Sequence, residues 1–308
     1  MTLYVSDVSF IIRPDIKEAL DKNRPVLALE STILAHGMPY PDNLEFAKHA
    51  ENIILGLGVL PATIAIINGK IKIGLTQEEL EFVCKTDYVY KTPLSEISAR
   101  VAKRDSGATT VSATMHIAYL AGIRVFSTGG IGGVHRNYNT TLDVSQDLTA
   151  LSNIPMIVVS AGAKVVLDLP KTLETLETLS ISVIGYNTSE FPAFYYRSSG
   201  LPINNRAETI DEIIHQFASM RRLKIKSAML VVNPIKKEDE IPATEINDYL
   251  DYSFRKAEEN QVSGKDVTPF LLKTIMEKSG GECIRANKAL ALNNVELGSK
   301  IALRLFNI

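Results

Sequence analysis

The chain has 308 residues, 45% of them hydrophobic and 22% charged, a balance typical of a globular protein with a full core. Its 33 basic and 35 acidic residues give a formal net charge of -2, so bulk charge argues against nucleic acid or an anionic membrane as a partner. Cys84 and Cys283 form no C-x-x-C pair, which favours a reducing compartment over a disulfide framework or a zinc site. No run approaches about 18 uncharged apolar residues, and the N-terminus lacks the charge order of a signal peptide. We therefore expect a cytoplasmic protein with no membrane span.

Short apolar runs alternate with longer amphipathic segments along most of the chain. The runs are β-branched and nearly continuous, as expected of strands that are covered on both faces. They predict strands at residues 25–29, 63–67, 88–90, 123–127, 156–160, 182–185 and 228–232. The segments between them predict helices at residues 43–57, 76–85, 94–103, 111–121, 173–179 and 209–223. This order predicts an α/β fold, a three-layer α/β/α sandwich around a mostly parallel sheet, with a mixed sheet left open.

The last eighty or so residues follow a different pattern. A charged segment at residues 235–240 precedes helical patterns at 242–260, 269–278 and 282–291. These C-terminal helices form either a cover on the sheet or a small subdomain. Because no linker rich in Pro, Gly or Ser and no internal repeat interrupts the chain, we predict a single domain over residues 1–308.

Ligands of open α/β sheets bind beyond the carboxyl ends of the strands, so polar residues that directly follow apolar runs are candidates for the site. Lys164 is the only charged residue from 153 to 167, and it follows a predicted strand and the small residues Ala161, Gly162 and Ala163. Burial can lower the pKa of a lysine by up to about 3–5 units, which makes a nucleophile. A lysine whose stem packs on apolar surface while its ammonium group reaches water is an equally good interpretation.

Two more charged residues stand at predicted strand ends. Glu30 ends the run at 25–29, where partial burial would suit a proton donor. It is also explained as a helix-start residue beside Ser31 and Thr32. Lys91 follows the run at 88–90 and either binds a phosphate or sugar oxygen or is merely solvated.

The segment STGGIGGVHR is a glycine-rich loop after a predicted strand. It fits neither G-x-G-x-x-G nor a Walker loop, and its four glycines in five positions favour a ligand site lined by backbone. Asp143 and Asp147 follow, four residues apart, and would share one face of a helix. Two such oxygens suit magnesium or manganese. Alternatively, Thr141 caps a helix whose positive end favours both acids.

Taken together, these segments resemble the pseudouridine-5'-phosphate glycosidase family, also called indigoidine synthase A-like proteins. The matching segments are ALESTILAHGMPYP, YKTPLSEI, GATTVSATM, STGGIGGVHR, TTLDVSQDL, SAGAKVVLDLPKTLETLET, GYNTSEFPAFYYRSSG, NPIKKEDEIP, GKDVTPFLL and the region of Asn287, Asn293 and Asn294. They occur in order from about residue 25 to 300, which is nearly the whole chain.

The resemblance implies reversible conversion of pseudouridine 5'-phosphate and water to uracil and ribose 5-phosphate, with Mn2+ or another divalent cation, by a homotrimer. It places the nucleophile at Lys164, the proton donor at Glu30 and the metal-site aspartate at Asp143. The substrate contacts that it implies fall on Lys91, Val111, Ser145, Gln146, Asp147, His135 and Asn287.

Lysine chemistry suits a carbon–carbon glycosidic bond, because C1' carries no oxygen or nitrogen leaving group and two carboxylates alone are poorly suited to it. A lysine adduct at C1' of the opened ribose lets protonated uracil depart and leaves an iminium that water hydrolyses. Two alternatives stay open at this point. One is an enzyme of the same fold that acts on another nucleotide or a pigment precursor, and the other is a sugar-phosphate-binding protein without catalysis.

Overall fold

One mixed sheet of eleven strands lies at the centre of the part of the chain that the structure describes. The structure is a computed structural model that describes residues 10–136, 138–262 and 267–306, so residues 264–266 of the segment GKDVTPFLL lie outside it. The strands are β1 (Phe10–Ile12), β2 (Val26–Leu29), β3 (Leu60–Ile67), β4 (Lys70–Ile73), β5 (Val89–Thr92), β6 (Ser106–Thr109), β7 (Val125–Ser127), β8 (Ile157–Ser160), β9 (Ser182–Tyr186), β10 (Asn205–Ala207) and β11 (Met229–Val232).

Helices surround this sheet. The α-helices are α1 (Pro14–Asp21), α2 (Thr32–His36), α3 (Asp42–Gly56), α4 (Gln77–Lys85), α5 (Ile97–Lys103), α6 (Val111–Leu120), α7 (Tyr138–Thr141), α8 (Gln146–Asn153), α9 (Leu169–Thr178), α10 (Ile210–Arg222), α11 (Ala243–Glu259), α12 (Val267–Lys278) and α13 (Glu282–Phe306). None of the helices in the described ranges is long and apolar enough to cross a lipid bilayer.

The strand order is β1-β4-β3-β2-β7-β8-β11-β9-β10, and β5 and β6 join the sheet where β6 pairs with β3. Neighbouring strands are parallel except where β3 meets β4 and β6. The prediction of a mostly parallel sheet is confirmed, and the sheet is mixed because of these two pairs.

Apolar side chains alternate between the two faces of the sheet, and helices cover both. Leu27 packs in one buried cluster with residues of α3, α10 and α13. Its neighbour Ala28 packs in the other cluster, with residues of α6, α8 and α9. Because successive side chains of a strand point to opposite faces, these clusters are the two interfaces of a three-layer sandwich. The predicted α/β fold is therefore confirmed.

Of the C-terminal helices, α13 covers the sheet, whereas α11 packs on α12 and α12 packs on α13. The last of them, α13, packs its buried residues against β2, β7 and β8. It continues to Phe306, whereas the sequence predicted an end at residue 291. Asn293 and Asn294 have low intrinsic helix propensity, but the burial of Val295 and Ile301 against the sheet outweighs it. The single domain over residues 1–308 stays a prediction.

Candidate active site

A cleft opens beyond the carboxyl ends of β2, β5, β7 and β8. Its larger cavity measures about 550 Å³, within the range of about 300–1,000 Å³ that small-molecule sites take. A smaller cavity of about 60 Å³ adjoins it. The two share the lining residues His36, Lys91, Lys164, Thr268 and Pro269.

Glu30 lies directly after β2 and is 5% exposed. Its Oε1 accepts a short hydrogen bond from Oγ1 of Thr128, which lies directly after the neighbouring strand β7. Burial raises the pKa of the Glu30 carboxyl, while the positive charge of Lys164 and the Thr128 hydrogen bond oppose that shift. Glu30 therefore keeps its proton to a higher pH than an exposed glutamate, as a general acid requires.

Lys164 reaches the cleft from a tight turn after β8. Gly162 in this turn has φ +87°, in the left-handed region that favours glycine. The backbone N–H of Lys164 then donates to the carbonyl oxygen of Ile131 at 3.0 Å, which ties the turn to the glycine-rich loop. The lysine is half-buried, and its side chain lines both cavities.

Lys91 lies within β5 and is half-buried in the same cleft. Burial lowers the pKa of its ammonium group, and the positive charge of Lys164 lowers it further, against the opposing charges of Asp147 and Glu30. A lysine that is desolvated beside another cation is the kind that serves as a nucleophile. Lys91 is therefore chemically suited to the same role as Lys164.

Asp143 and Asp147 do not share a helix face, and the expectation that they would is wrong. Leu142, with φ +54°, ends α7, and Ser145 caps α8 by accepting from the N–H of Asp147 at 3.2 Å. Asp143 lies in the extended segment between the two helices, where its own N–H donates to Thr141 Oγ1 at 3.2 Å. The capping hydroxyl is thus that of Ser145, whereas the alternative interpretation of the sequence placed the cap at Thr141.

Asp147 is buried, and both of its carboxylate oxygens bind backbone. Oδ1 accepts from the N–H of Ser112 at 2.9 Å, and Oδ2 accepts from the N–H of Gly132 at 2.8 Å. A Cβ atom at position 132 would lie 2.8 Å from this carboxylate and 2.2 Å from Ser145 Oγ, so only glycine allows the approach. Asp147 thereby joins the start of α6 to the glycine-rich loop.

The glycine-rich loop lines the cleft with Gly129, Gly130 and Gly132. Several of its N–H groups are already bonded inside the protein: that of Ile131 to the Gly162 carbonyl, and that of Gly132 to Asp147. At these two positions the loop is therefore a packed wall of the cleft, and a ligand site lined by its backbone stays a prediction.

His135 and Asp143 face each other at the larger cavity. Nε2 of His135 lies 3.8 Å from Oδ2 of Asp143 and 3.4 Å from Oγ1 of Thr268. Burial lowers the pKa of His135, and the charge of Asp143 opposes this only in part, so the neutral imidazole is favoured. Within the described residues, no group of three or more His, Cys, Asp or Glu side chains could hold a metal ion. The half-exposed Asp143 carboxylate nevertheless fits a cation that keeps most of its waters.

Two further residues predicted to contact the substrate, Val111 and Gln146, lie in different positions relative to the cleft. The side chain of Val111 is 1% exposed and lies in the core, while its neighbours Thr110 and Ser112 line the larger cavity. Gln146 exchanges two hydrogen bonds with Ser95, one to the hydroxyl at 2.8 Å and one from the N–H at 3.1 Å. The substrate contact implied for Val111 stays a prediction.

Asn287, on α13, lines the smaller cavity and is 9% exposed. Its Oδ1 is buried and has no hydrogen-bond partner among the described residues, although a buried polar atom normally has one. Ile33, Phe194 and Leu272 give this cavity apolar walls.

Neither His36 nor Thr268 was predicted from the sequence as a site residue, yet both residues line the two cavities. Burial lowers the pKa of His36, as does the charge of Lys91. His36 lies within the matching segment ALESTILAHGMPYP, and Thr268 lies within GKDVTPFLL. Membership in these segments was the feature of the sequence that could have identified both residues.

The sheet and cleft together define an α/β enzyme in which a buried carboxylic acid and two lysines meet at the ends of parallel strands. Comparison with known proteins gives its family. The chain belongs to the family described as indigoidine synthase A like protein, whose model matches residues 15–304. A pseudouridine-5'-phosphate glycosidase of Dinoroseobacter shibae is 48% identical over 299 residues, covering 96% of this chain and 98% of the relative. One of Petrotoga mobilis is 46% identical over 297 residues, covering 96% and 97%.

Two solved structures share the fold. An indigoidine synthase A-like protein of Thermotoga maritima is 38% identical, with a TM-score of 0.90 and 99% of each chain covered. A prealnumycin C-glycosynthase in complex with ribulose 5-phosphate is 32% identical, with a TM-score of 0.90 and 98% of each chain covered. The similarity extends over nearly the whole chain in every case.

Proposed function

We propose that this protein is a glycosidase that reversibly converts pseudouridine 5'-phosphate and water to uracil and ribose 5-phosphate. The observation that carries the proposal is the meeting of Glu30, Lys91 and Lys164 in one cleft, with Glu30 buried and its pKa raised by that burial. The names and the 46–48% identity of the two relatives described above agree with this chemistry.

The reaction begins with Glu30 as the acid. Its proton goes to the ribose ring oxygen as the bond between C1' and that oxygen breaks, and the nitrogen of Lys164 forms a bond to C1'. The adduct nitrogen then loses its proton to the Glu30 carboxylate, and Glu30 gives this proton to the C5 carbon of uracil. The bond from C5 to C1' breaks as the nitrogen lone pair forms an iminium. Water hydrolyses the iminium, which releases ribose 5-phosphate and restores the amine.

Lys91 supports this sequence as a cation in the same cleft. Its ammonium group holds the phosphate or a sugar oxygen, together with Ser145 and Gln146 at the larger cavity. Asp147 acts through the backbone that it binds. His135, with its neutral imidazole favoured, offers one nitrogen as an acceptor to a substrate hydroxyl.

The smaller cavity is the proposed uracil site. Ile33, Phe194 and Leu272 present apolar surface to the flat ring, and the Asn287 Oδ1 accepts a hydrogen bond from a ring N–H. This arrangement places the base on the α12 and α13 side of the cleft and the sugar phosphate on the β5 side.

A divalent cation, Mn2+ or a similar ion, is the proposed cofactor, with Asp143 as its protein ligand and His135 beside it. When bound, it supplies positive charge that offsets the phosphate or orients water. Asp143 holds it through a carboxylate oxygen, the donor type that hard cations prefer.

We further propose a homotrimer in the cytoplasm. Four large apolar side chains are exposed near the cleft: Tyr88, Tyr90, Leu142 and Val144. Of these, Tyr90 and Val144 line the larger cavity. Burial of such surface between subunits would favour assembly at the mouth of the cleft. Cys84 and Cys283 are free buried thiols, which agrees with a reducing compartment.

One experiment tests the activity. The purified protein with Mn2+ is incubated with pseudouridine 5'-phosphate, and uracil is followed by chromatography, with free pseudouridine as the control substrate. We expect uracil and ribose 5-phosphate in equal amounts, and far less product from the unphosphorylated control. Absence of uracil under these conditions overturns the proposal.

A second candidate is a C-glycosynthase that joins ribose 5-phosphate to a pigment precursor. The similarity to the prealnumycin C-glycosynthase favours it, but that identity is 32% against 48% for the Dinoroseobacter shibae glycosidase. Incubation of the protein with ribose 5-phosphate and uracil or an aromatic acceptor separates the two, because each enzyme joins only its own acceptor.

A further inference from the structure

The smaller cavity of the cleft, the proposed uracil site, ends on the ring of Phe194. This cavity measures about 60 Å³, whereas the adjoining cavity measures about 550 Å³. Phe194 is 3% exposed, while two other apolar residues of the lining, Ile33 and Leu272, are half-buried. The ring therefore lies at the inner end of the cavity, where it limits the space for a base.

Phe194 has a strained backbone conformation. Its φ is +68°, in the left-handed region that a bulky side chain rarely adopts. The N–H of Tyr195 donates to the carbonyl oxygen of Ala193 at 2.8 Å, so Phe194 is the central residue of a γ-turn of the rare, strained type. Glycine would take this conformation without strain. A phenylalanine here indicates that its ring has a role that outweighs the strain.

Contacts on both sides of this turn fix the direction of the ring. Ala193 pairs with Gly162 in an antiparallel bridge. Tyr195 is 1% exposed, so its side chain anchors the turn in the core, and its ring meets that of Phe194 edge to face with centroids 4.8 Å apart. Because Gly162 belongs to the turn that carries Lys164, the ring of Phe194 and the proposed nucleophile are held in one frame.

The ring packs directly on the glycine-rich loop. A Cβ atom at Gly130 would lie 2.6 Å from Cε2 of Phe194 and 2.8 Å from Cδ2, so only glycine leaves room for the ring. Gly130 lines the same cavity. The glycine at 130 and the strained turn at 194 thus both serve to place one ring at the end of this cavity.

We propose that Phe194 sets the size of the base, because its ring admits a single pyrimidine ring and excludes a base that is extended by a second ring. The inference rests on the proposed function, which places uracil in this cavity. In that reaction C5 of uracil faces C1' of the sugar. The ring nitrogens N1 and N3 are therefore the positions from which a substituent leads away from the sugar, and a ring that ends the cavity meets such a substituent directly.

The test is the binding of uracil, 1-benzyluracil and 3-benzyluracil, measured by calorimetry with ribose 5-phosphate present. The variants are Phe194→Gly, which removes the ring and relieves the strain, and Phe194→Leu, which keeps a smaller apolar side chain. We expect uracil to bind about two- to tenfold more weakly to each variant, the value of one aromatic contact. At least one benzyluracil should bind about tenfold more tightly to Phe194→Gly than to wild type, with a smaller gain in Phe194→Leu.

Phe217→Ala is the matched control, because Phe217 is also 3% exposed but lies on α10, in the cluster on the other face of the sheet. It should lower Tm and leave the ratio of the benzyluracil and uracil dissociation constants unchanged. A ratio that keeps its wild-type value in both Phe194 variants overturns the inference, and so does an equal change of the ratio in Phe217→Ala. If Phe194→Gly does not fold, the ratio in Phe194→Leu decides.

These binding measurements do not depend on turnover. A wild type that binds uracil but releases none from pseudouridine 5'-phosphate contradicts the proposed function, while the ratio of dissociation constants still decides the role of Phe194. A wild type that binds no uracil overturns the inference itself, because the cavity that Phe194 ends is then not a base site.

Discussion

The Nδ2 group of Asn294 donates a hydrogen bond of 2.9 Å to the carbonyl oxygen of Thr128, which lies 166 positions earlier in the chain. The same group reaches the carbonyl of Gly129 at 3.3 Å, and Oδ1 accepts from Nδ2 of Asn233 at 3.0 Å. Because Thr128 Oγ1 donates to Glu30, α13 orients the proposed acid through two successive hydrogen bonds. Asn294 is fully buried, so this network is shielded from water.

The first prediction concerns this network. Asn294→Ala leaves the carbonyl of Thr128 and the side-chain amide of Asn233 without this partner, and one unsatisfied group costs about 1–3 kcal/mol. We expect a loss of about 2–4 kcal/mol in the free energy of unfolding and a lower kcat, measured by urea unfolding and uracil release. Asn293→Ala is the matched control, since that side chain bonds only to Pro234 O at 3.2 Å. Equal effects of both variants would show that the Thr128 contact has no special role.

The second prediction concerns Glu30 as proton donor. Glu30→Gln keeps the shape of the side chain and removes the proton transfer, which is typically worth about 10²–10⁴ in rate. We expect kcat to fall by that order with a much smaller change in KM, and the pH–rate profile to lose one limb. If kcat stays within a few-fold of wild type while KM rises, Glu30 is a binding residue and another group is the acid.

The third prediction decides between the two lysines. We expect borohydride to trap a ribose phosphate adduct on Lys164, found by peptide mass mapping, and Lys164→Ala to lose nearly all turnover while it keeps its fold. In Lys91→Ala the trapped adduct should still form on Lys164, with a higher KM because a cation is lost from the cleft. An adduct on Lys91 in wild type would show that Lys91 is the nucleophile and Lys164 the binding cation. The lowered pKa of Lys91 suits it to that role, so the experiment distinguishes two chemically reasonable assignments.

The fourth prediction concerns the cation. Asp143→Ala removes a hard oxygen ligand, so we expect weaker activation by Mn2+, seen as a higher metal concentration for half-maximal rate and weaker binding in calorimetry. Asp248→Ala, at an exposed position on α11, serves as the control. Full activity of chelator-treated protein without added metal would contradict the proposed cofactor.

The fifth prediction concerns stability and pH at Glu51. Burial raises the pKa of this carboxyl above its ordinary value of 4.5, so the folded state binds its proton more tightly than the unfolded state. The contribution of Glu51 to the free energy of unfolding is therefore complete below about pH 4.5, and it is lost as the pH rises through the pKa of the folded state. Glu51→Gln cannot ionise and keeps an acceptor for Thr63, so its Tm relative to wild type should rise between pH 5 and pH 8. A difference in Tm that does not change with pH would show that Glu51 ionises freely in the folded protein.

The sequence predicted the central strands and missed β1, β4, β6 and β10. The runs that became β2, β7, β8 and β11 are continuous and buried, which is a strong signal. In contrast, β4 alternates lysine with isoleucine and β6 reads SGAT, so neither carries enough apolar surface to be recognised. These strands are specified by their partners in the sheet, which no local pattern shows.

The site was predictable where it follows strands and obscure where it depends on distant contacts. Glu30 and Lys164 stand directly beyond apolar runs, and the structure brings both into the cleft. The pairing of Asp143 with Asp147 failed because the spacing of four assumed a helix, whereas the chain turns at Leu142. Asn294 was recognised only as part of a matching region. Its role was not predicted, because its contact with Thr128 joins residues 166 positions apart and no local pattern shows it.

The position of α13 has a consequence for how the protein is made. In the order of synthesis it comes after every described strand, yet it packs on β2, β7 and β8 at the middle of the sheet. Until it leaves the ribosome, Leu27, Val125 and Val159 lack part of their cover, and exposed apolar strands favour aggregation. The cleft also lacks Asn287, and Thr128 lacks Asn294, until the same moment. Nascent chains should therefore depend on chaperones until α13 has been made and has packed on the sheet, and the cleft should be complete only from that point.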